Sequence, residues 1–154
     1  MRLRVIAVGT RMPAWVDAGV RDYARRLPRE LAFTIDEVKP AVHRADIASA
    51  MADEGQRVLS RAGSGTRLVV LDERGQPWTT RELAQLLAQW QQDARDIALL
   101  IGGADGHAPM VRIAAEATWS LSPLTLPHAL VRVILVEQIY RATTVLRGHP
   151  YHRA

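Results

Sequence analysis

The last quarter of the 154-residue chain concentrates the side chains that move protons and hold anions. His128, Arg132, Glu137, Arg141, His149, Tyr151, His152 and Arg153 all fall in PHALVRVILVEQIYRATTVLRGHPYHRA (127–154), with three of the five histidines. Imidazole, guanidinium and phenol are the groups that stack on bases and hold phosphates, so this stretch suits contact with a nucleic acid. The same residues are also compatible with a frayed terminus. Metal ligation is not expected, because neither H-E-x-x-H nor a His–carboxylate facial set is present.

Two further segments have the composition of a ligand site. Gly102-Gly103-Ala104-Asp105-Gly106 follows an apolar run, but it lacks the G-x-G-x-x-G order of a dinucleotide site and the Gly-Lys-Ser/Thr of a P-loop, which disfavours a nucleoside triphosphate. It is either a tight turn with positive φ or a place where bare backbone approaches a ligand. Leu121-Ser122-Pro123-Leu124-Thr125-Leu126-Pro127 is largely apolar and bracketed by prolines. Such a segment either packs into a core or lines a pocket for a ligand with an apolar face, such as an adenine. Pro123 offers no backbone N–H to that pocket.

The elements that position these segments follow from periodicity. Leu3 to Val8, Ala32 to Val38, Arg67 to Leu71, Ile97 to Ile101 and Thr118 to Leu121 read as strands. Helices are expected from Pro13 to Pro28, from Ala45 to Arg61, from Thr79 or Thr80 through Trp90, near Ala108 to Ala117, and from Leu130 to Leu146. Thr79 and Glu82 have capping-box spacing, and Leu83, Leu86, Leu87 and Trp90 form one apolar stripe. Strand and helix alternate throughout, so the fold class is α/β, one domain with a mainly parallel sheet flanked by helices. In such sheets ligands bind beyond the carboxyl ends of the strands. That rule selects the loops after Leu71, after Ile101 and after Leu121.

The helix expected over 130–146 has almost no polar face in its first two turns, which suits either deep burial or a subunit interface.

Composition narrows the function classes. The chain contains no cysteine, which excludes disulfides, thiolate metal sites and a cysteine nucleophile. The apolar run near the start is too short for a signal sequence and nothing approaches a membrane span, so a soluble, cytoplasmic protein is expected. Nineteen arginines accompany a single lysine, Lys39, and the net charge is +4. Residues 1–30 carry +4, residues 31–118 carry −3 and residues 119–154 carry +3. Arginine matches phosphate bidentately, so basic ends suit an RNA partner; high-GC codon use would give the same bias.

Taken in order, the segments IAVGTRMPAWV, LDERGQPW, LLIGGADG, WSLSPLTLPHALVRVILVEQIYRA and HPYHR span the chain from end to end. Together they resemble the SPOUT-class methyltransferases that modify N3 of a ribosomal pseudouridine, with the C-terminal block the specific part. The resemblance implies a deep C-terminal trefoil knot, S-adenosylmethionine as methyl donor, and a homodimer with its pocket near the subunit interface. It implies 23S rRNA in the assembled 70S ribosome as substrate, and neither a membrane nor a metal as partner. Without it, an ordinary doubly wound sheet would be expected, since threaded connections are rare. Carried over by position, the donor pocket is Leu71, Gly102 and the loop Leu121, Ser122, Pro123, Leu124, Thr125 and Leu126.

Methylation of a pseudouridine N3 requires loss of an imino proton, by a base or by stabilisation of the resulting anion. On this resemblance His128, Glu137 or His152 removes the proton, Arg141 and Arg153 stabilise the anion or bind phosphate, and Tyr151 stacks on the base. Glu137 and Arg141 are also spaced for a plain i,i+4 pair. The tail after the last helix can reach away from its own core, so a site composed from two protomers is expected. Arg21, Arg25, Arg26 and Arg29 form a candidate phosphate-binding helix face. Two readings of other classes stay open: a non-catalytic RNA- or ribosome-binding factor, and a flavodoxin-like module for a flavin or nucleotide.

Overall fold

Side-chain alternation along the strands sets the layering. In β1 (Leu3–Val8), Leu3, Val5 and Ala7 enter one apolar core, while Ile6 and Val8 enter another on the opposite face. The central strands β3 (Arg67–Pro77) and β4 (Ile97–Ile101) divide their side chains the same way, as expected where both faces of a parallel sheet are covered. The computed structural model describes residues 1–42 and 46–153.

The five strands lie in the order β2-β1-β4-β3-β5, with β2 at Thr34–Val38 and β5 at Ala117–Ser120, and every pairing is parallel. Helices α1 (Ala14–Ala24), α3 (Thr80–Asp93) and α5 (His128–Arg147) cover one face; α2 (Ile47–Ala62) and α4 (Pro109–Ala114) cover the other. The α/β class, the parallel sheet and the flanking helices are those read from periodicity.

Local rules explain the boundaries. The Thr79–Glu82 capping box is present, with Glu82 N–H donating to Thr79 Oγ1 at 3.1 Å and Thr79 N–H to Glu82 Oε2 at 2.6 Å. Asp46 caps α2 by accepting the Ser49 N–H at 2.6 Å. Ala45, the expected first residue of that helix, lies outside the described residues. The first helix ends at Ala24 rather than at Pro28, and a 3-10 turn at Arg29–Leu31 follows. Ala32 closes that turn with a left-handed φ of 42°, which moves the start of β2 to Thr34.

The larger departure is β3, which runs to Pro77 instead of ending at Leu71. Leu71 and Gln76 both pair with Trp119, so residues 72–75 bulge out of the ladder and the chain then returns to it. Gly75 makes the return possible, because a Cβ there would sit 2.7 Å from the backbone of Thr118. Trp78 then stacks on Trp119 at 5.0 Å between centroids and meets Trp90 edge-on, which anchors the returning strand.

The last helix is two residues longer at its start than its apolar pattern indicated, because His128 and Ala129 continue it back to Pro127. Leu135, Val136 and Ile139 are buried, whereas Leu130, Val133 and Ile134 in its first two turns are only partly covered. Among the described residues no helix is long and apolar enough to cross a membrane.

Candidate methyl-donor cleft and tail cluster

The strand-end segments selected from the sequence meet in one cleft of about 460 Å³. The volume falls within the range of small-molecule sites. Leu71 and Gly102 line it from the ends of β3 and β4. Leu121, Ser122, Leu124, Thr125 and Leu126 form the facing wall, while Pro123 is exposed and lies outside it. The missing N–H of Pro123 therefore takes nothing from the lining.

Each wall is built by a local device. Behind the glycine loop, Gly106 takes a φ of 82° and returns its N–H to the Gly103 carbonyl at 3.0 Å, so the turn reading of this loop holds at that position. Gly102 is needed for a different reason: a Cβ on it would stand 2.9 Å from the Gly106 carbonyl carbon. The facing loop is folded by its serines, with Ser120 Oγ donating to Ser122 O at 2.9 Å and Leu124 N–H to Ser122 Oγ at 3.0 Å. Thr125 Oγ1 donates to Glu73 Oε2 at 2.8 Å, tying that loop to the β3 bulge.

The bulge delivers charge that residue types alone did not assign. Asp72, nearly enclosed, pairs with Arg112 of α4 at 2.6 Å and accepts the Arg74 N–H at 2.8 Å. Burial opposes its ionisation, but the Arg74 N–H and the Arg112 and Arg74 guanidiniums outweigh burial and hold its pKa down at about 2. His107, buried behind the glycine loop, bonds to the Leu100 carbonyl at 3.1 Å. Burial lowers its pKa, so the neutral imidazole is favoured there.

Of the residues assigned to proton transfer and anion binding, only His128 reaches this cleft. Its Nδ1 lies 3.1 Å from Gly102 O, and its Nε2 accepts from Arg132 Nε at 3.0 Å. Burial, with Arg132 adding to it, lowers the His128 pKa.

The others gather farther along α5. Glu137 Oε1 accepts from Arg141 Nε at 2.8 Å and from the Tyr151 hydroxyl at 3.2 Å. The i,i+4 ion pair is thus present, and the tail closes over it: the Arg141 guanidinium lies 4.9 Å from the Tyr151 ring centroid, and Tyr140 packs on Tyr151 at 4.6 Å. Burial, the Tyr23 hydroxyl and Glu137 together push the Tyr151 phenol up to about 12. The hydrogen bond to Glu137 raises Arg141. His149 Nδ1 accepts the Tyr151 N–H at 3.2 Å and caps the turn Pro150–His152. His152 Nδ1 is enclosed without a hydrogen-bond partner, and Arg153 is exposed. Glu137 lies nine positions after His128 on the helix, about 14 Å of rise. Within one chain the cleft and the tail cluster are therefore two sites.

Of the four arginines expected to form a phosphate-binding helix face only Arg21 lies in α1, because the helix ends at Ala24 and Arg25, Arg26 and Arg29 follow it. Arg25 and Arg26 both pair with Asp22, at 2.5 and 2.9 Å, and Arg26 also lies over Tyr23 and Tyr140. Arg21 donates to the Asp17 carbonyl at 3.3 Å, and Arg29 is exposed in the following turn. Among the described residues no group of three or more His, Cys, Asp or Glu is placed to hold a metal ion.

Residues 1–152 match the family model described as "Predicted SPOUT methyltransferase". The chain belongs to the SPOUT methyltransferase family. Relatives include the Ribosomal RNA large subunit methyltransferase H of Methylococcus capsulatus (strain ATCC 33009 / NCIMB 11132 / Bath), 52% identical with 99% of this chain and 100% of that protein covered. The protein of that name from Pseudomonas putida (strain GB-1) is also 52% identical over the same shares. Solved structures share the SPOUT fold at lower identity. The crystal structure of a probable methyltransferase from Bordetella pertussis Tohama I has a TM-score of 0.57 at 18% identity, covering 92% of this chain and 95% of that one. A probable methylase family protein from Haemophilus influenzae Rd KW20 gives 0.60 at 14% identity, covering 95% and 66%. A SPOUT methyltransferase requires a methyl donor, so family membership displaces the flavodoxin-like flavin or nucleotide module.

Proposed function

We propose that this chain transfers a methyl group from S-adenosylmethionine to N3 of a pseudouridine in 23S rRNA, that its substrate is the assembled 70S ribosome in the cytoplasm, and that it works as a homodimer. The observation that carries the reading is the meeting of the Leu71, Gly102 and Leu121–Leu126 segments in one cleft. The relatives' name, Ribosomal RNA large subunit methyltransferase H, supplies the substrate class.

The lining suits such a donor. Ile101, Leu121, Leu126 and Val131 give an apolar surface for an adenine, and Asp72 and Thr125 give polar groups at the wall. S-adenosylmethionine supplies a sulfonium-bound methyl group for in-line displacement. The chain then has to orient a nitrogen lone pair toward that methyl and remove the imino proton.

Both ring nitrogens of His128 are engaged by Gly102 and Arg132, which leaves Glu137 and His152 as the proton acceptors in this reading. Arg141 and Arg153 stabilise the anion, and Tyr151 stacks on the base. Because Glu137 sits about 14 Å along the helix from His128 and the tail packs beside it, the tail of one protomer serves the cleft of the other. The partly covered Leu130, Val133 and Ile134 are the apolar surface for that association. The trefoil-knotted path of the C-terminal segment belongs to the same reading.

Calorimetric titration with S-adenosylmethionine tests the donor assignment. Saturable binding that Leu126→Glu removes is expected. Absence of binding by the wild-type chain overturns the assignment.

A further inference from the structure

Among the described residues Arg132 is the charged residue most completely withdrawn from solvent, at 3% exposure, and it sits in the first two turns of α5 among Leu130, Val131, Val133 and Ile134. Three of its N–H groups have acceptors. Nε donates to His128 Nε2 at 3.0 Å, Nη1 to Glu37 Oε2 at 2.8 Å, and Nη2 to the Gly9 carbonyl at 2.8 Å. Burying an arginine in this way is weak support for stability, because an apolar side chain of similar volume usually does as well. Its value lies in what it orients.

The chemistry of the donors and acceptors leaves one arrangement. Guanidinium has no lone pair to offer, so His128 Nε2 must accept. A carbonyl cannot donate, so the His128 Nδ1 that faces Gly102 O at 3.1 Å must carry the proton. His128 is therefore a neutral imidazole in a single tautomer. Gly102, whose carbonyl it binds, is a residue of the cleft wall.

The end of β1 is shaped to allow this. Gly9 has a φ of 143°, open to glycine and strained for other residues, and a Cβ there would stand 3.4 Å from Arg132 Nη2 and 3.5 Å from His128 Nε2. Gly9 at the end of β1, Glu37 of β2 and the α5 pair Arg132 and His128 thus form one connected set of hydrogen bonds, which ends through His128 on the Gly102 carbonyl.

We propose that Arg132 is a positioning residue for the donor cleft, holding His128 as the Nδ1-protonated tautomer so that His128 fixes the Gly102 carbonyl. The proposal rests on the donor-cleft reading above. It assigns His128 a role through its hydrogen bond to the backbone, with no proton transfer to substrate.

A double-mutant cycle separates this role from simple packing. Titration with S-adenosylmethionine is carried out on wild type, His128→Leu, Arg132→Met and the double variant, with unfolding followed in parallel. Each single change is expected to weaken donor binding about tenfold, and the double variant to bind no more weakly than the worse single variant. His128→Asn, whose amide N–H can replace the Nδ1–H, is expected to recover most of the affinity lost in His128→Leu. Losses that multiply to about a hundredfold mean that Arg132 acts independently of His128, and they overturn the proposal. Should Arg132→Met fail to fold, the ring ¹⁵N shifts of His128 in the wild-type protein decide: a proton on Nδ1 with a bare, hydrogen-bonded Nε2 supports the proposal, and a proton on Nε2 overturns it. A wild-type chain that binds no donor overturns the donor-cleft reading itself, whereas multiplying losses in a chain that binds it overturn the role of Arg132 alone.

Discussion

Asp72 and Arg112 meet at 2.6 Å across the edge of the cleft, one from the bulge of β3 and the other from α4 on the opposite side of the glycine loop. The pair joins two elements whose ends form the cleft, so its strength bears on both the stability and the shape of the site.

The sign of its pH dependence follows from the Asp72 pKa, about 2 in the folded chain against an ordinary 3.8. A carboxylate whose pKa is depressed by folding stabilises the fold fully above its unfolded pKa and loses that contribution as pH falls through the folded one. Urea unfolding of wild type and Asp72→Asn is expected to differ by about 2 kcal/mol at neutral pH, and the difference to close between about pH 4 and pH 2. A difference that stays constant over that range contradicts the pairing.

Gly102 faces the Gly106 backbone so closely that a single added carbon forces the loop to move, since the new Cβ would stand 2.9 Å from the Gly106 carbonyl carbon. Gly102→Ala is expected to weaken S-adenosylmethionine binding at least tenfold, while its far-ultraviolet circular dichroism stays that of the wild type. Unchanged affinity in calorimetry would show that the loop gives way without affecting the cleft.

The tail cluster supports a different separation. Tyr151 packs on Glu137 and Arg141 and does not line the cleft, so deletion of residues 149–154 is expected to leave donor binding within about twofold of wild type and to abolish methyl transfer. Full transfer activity in the truncated chain would remove the tail from the mechanism.

The arginines that follow the first helix divide by their pairing. Arg29 is exposed beyond the helix end, whereas Arg26 is held by Asp22 and two tyrosine rings. Arg29→Glu is expected to weaken ribosome binding and flatten its dependence on salt, with donor affinity unchanged; filter binding across a salt series reads both. An identical salt slope in the variant excludes Arg29 as a phosphate contact.

Much of this arrangement was legible in the chain before folding. The paired glycines after Ile101 and the proline-bracketed apolar loop after Leu121 are local signals, and the parallel-sheet rule was enough to place them at one end of the sheet. The Thr79–Glu82 cap was likewise local. The extension of β3 was not, because residues 72–75 carry turn-like polar character and the contacts that return the chain to the ladder, Gly75 against Thr118 and Trp78 on Trp119, are long-range. Ion pairs across the fold were equally hidden: His128 and Arg132 are visible as an i,i+4 pair, but nothing in their spacing points to Glu37, 95 residues away, or to the Gly9 carbonyl. The separation of the tail cluster from the cleft follows from helix geometry once both ends of α5 are fixed.

The most direct test of the central claim is transfer of labelled methyl from S-adenosylmethionine to ribosomes lacking the modification, compared with isolated subunits and naked 23S rRNA, with the product nucleoside identified by mass. The account predicts label in 3-methylpseudouridine, strongest on assembled 70S particles. Label in another nucleoside, or no transfer by a chain that binds the donor, would contradict it.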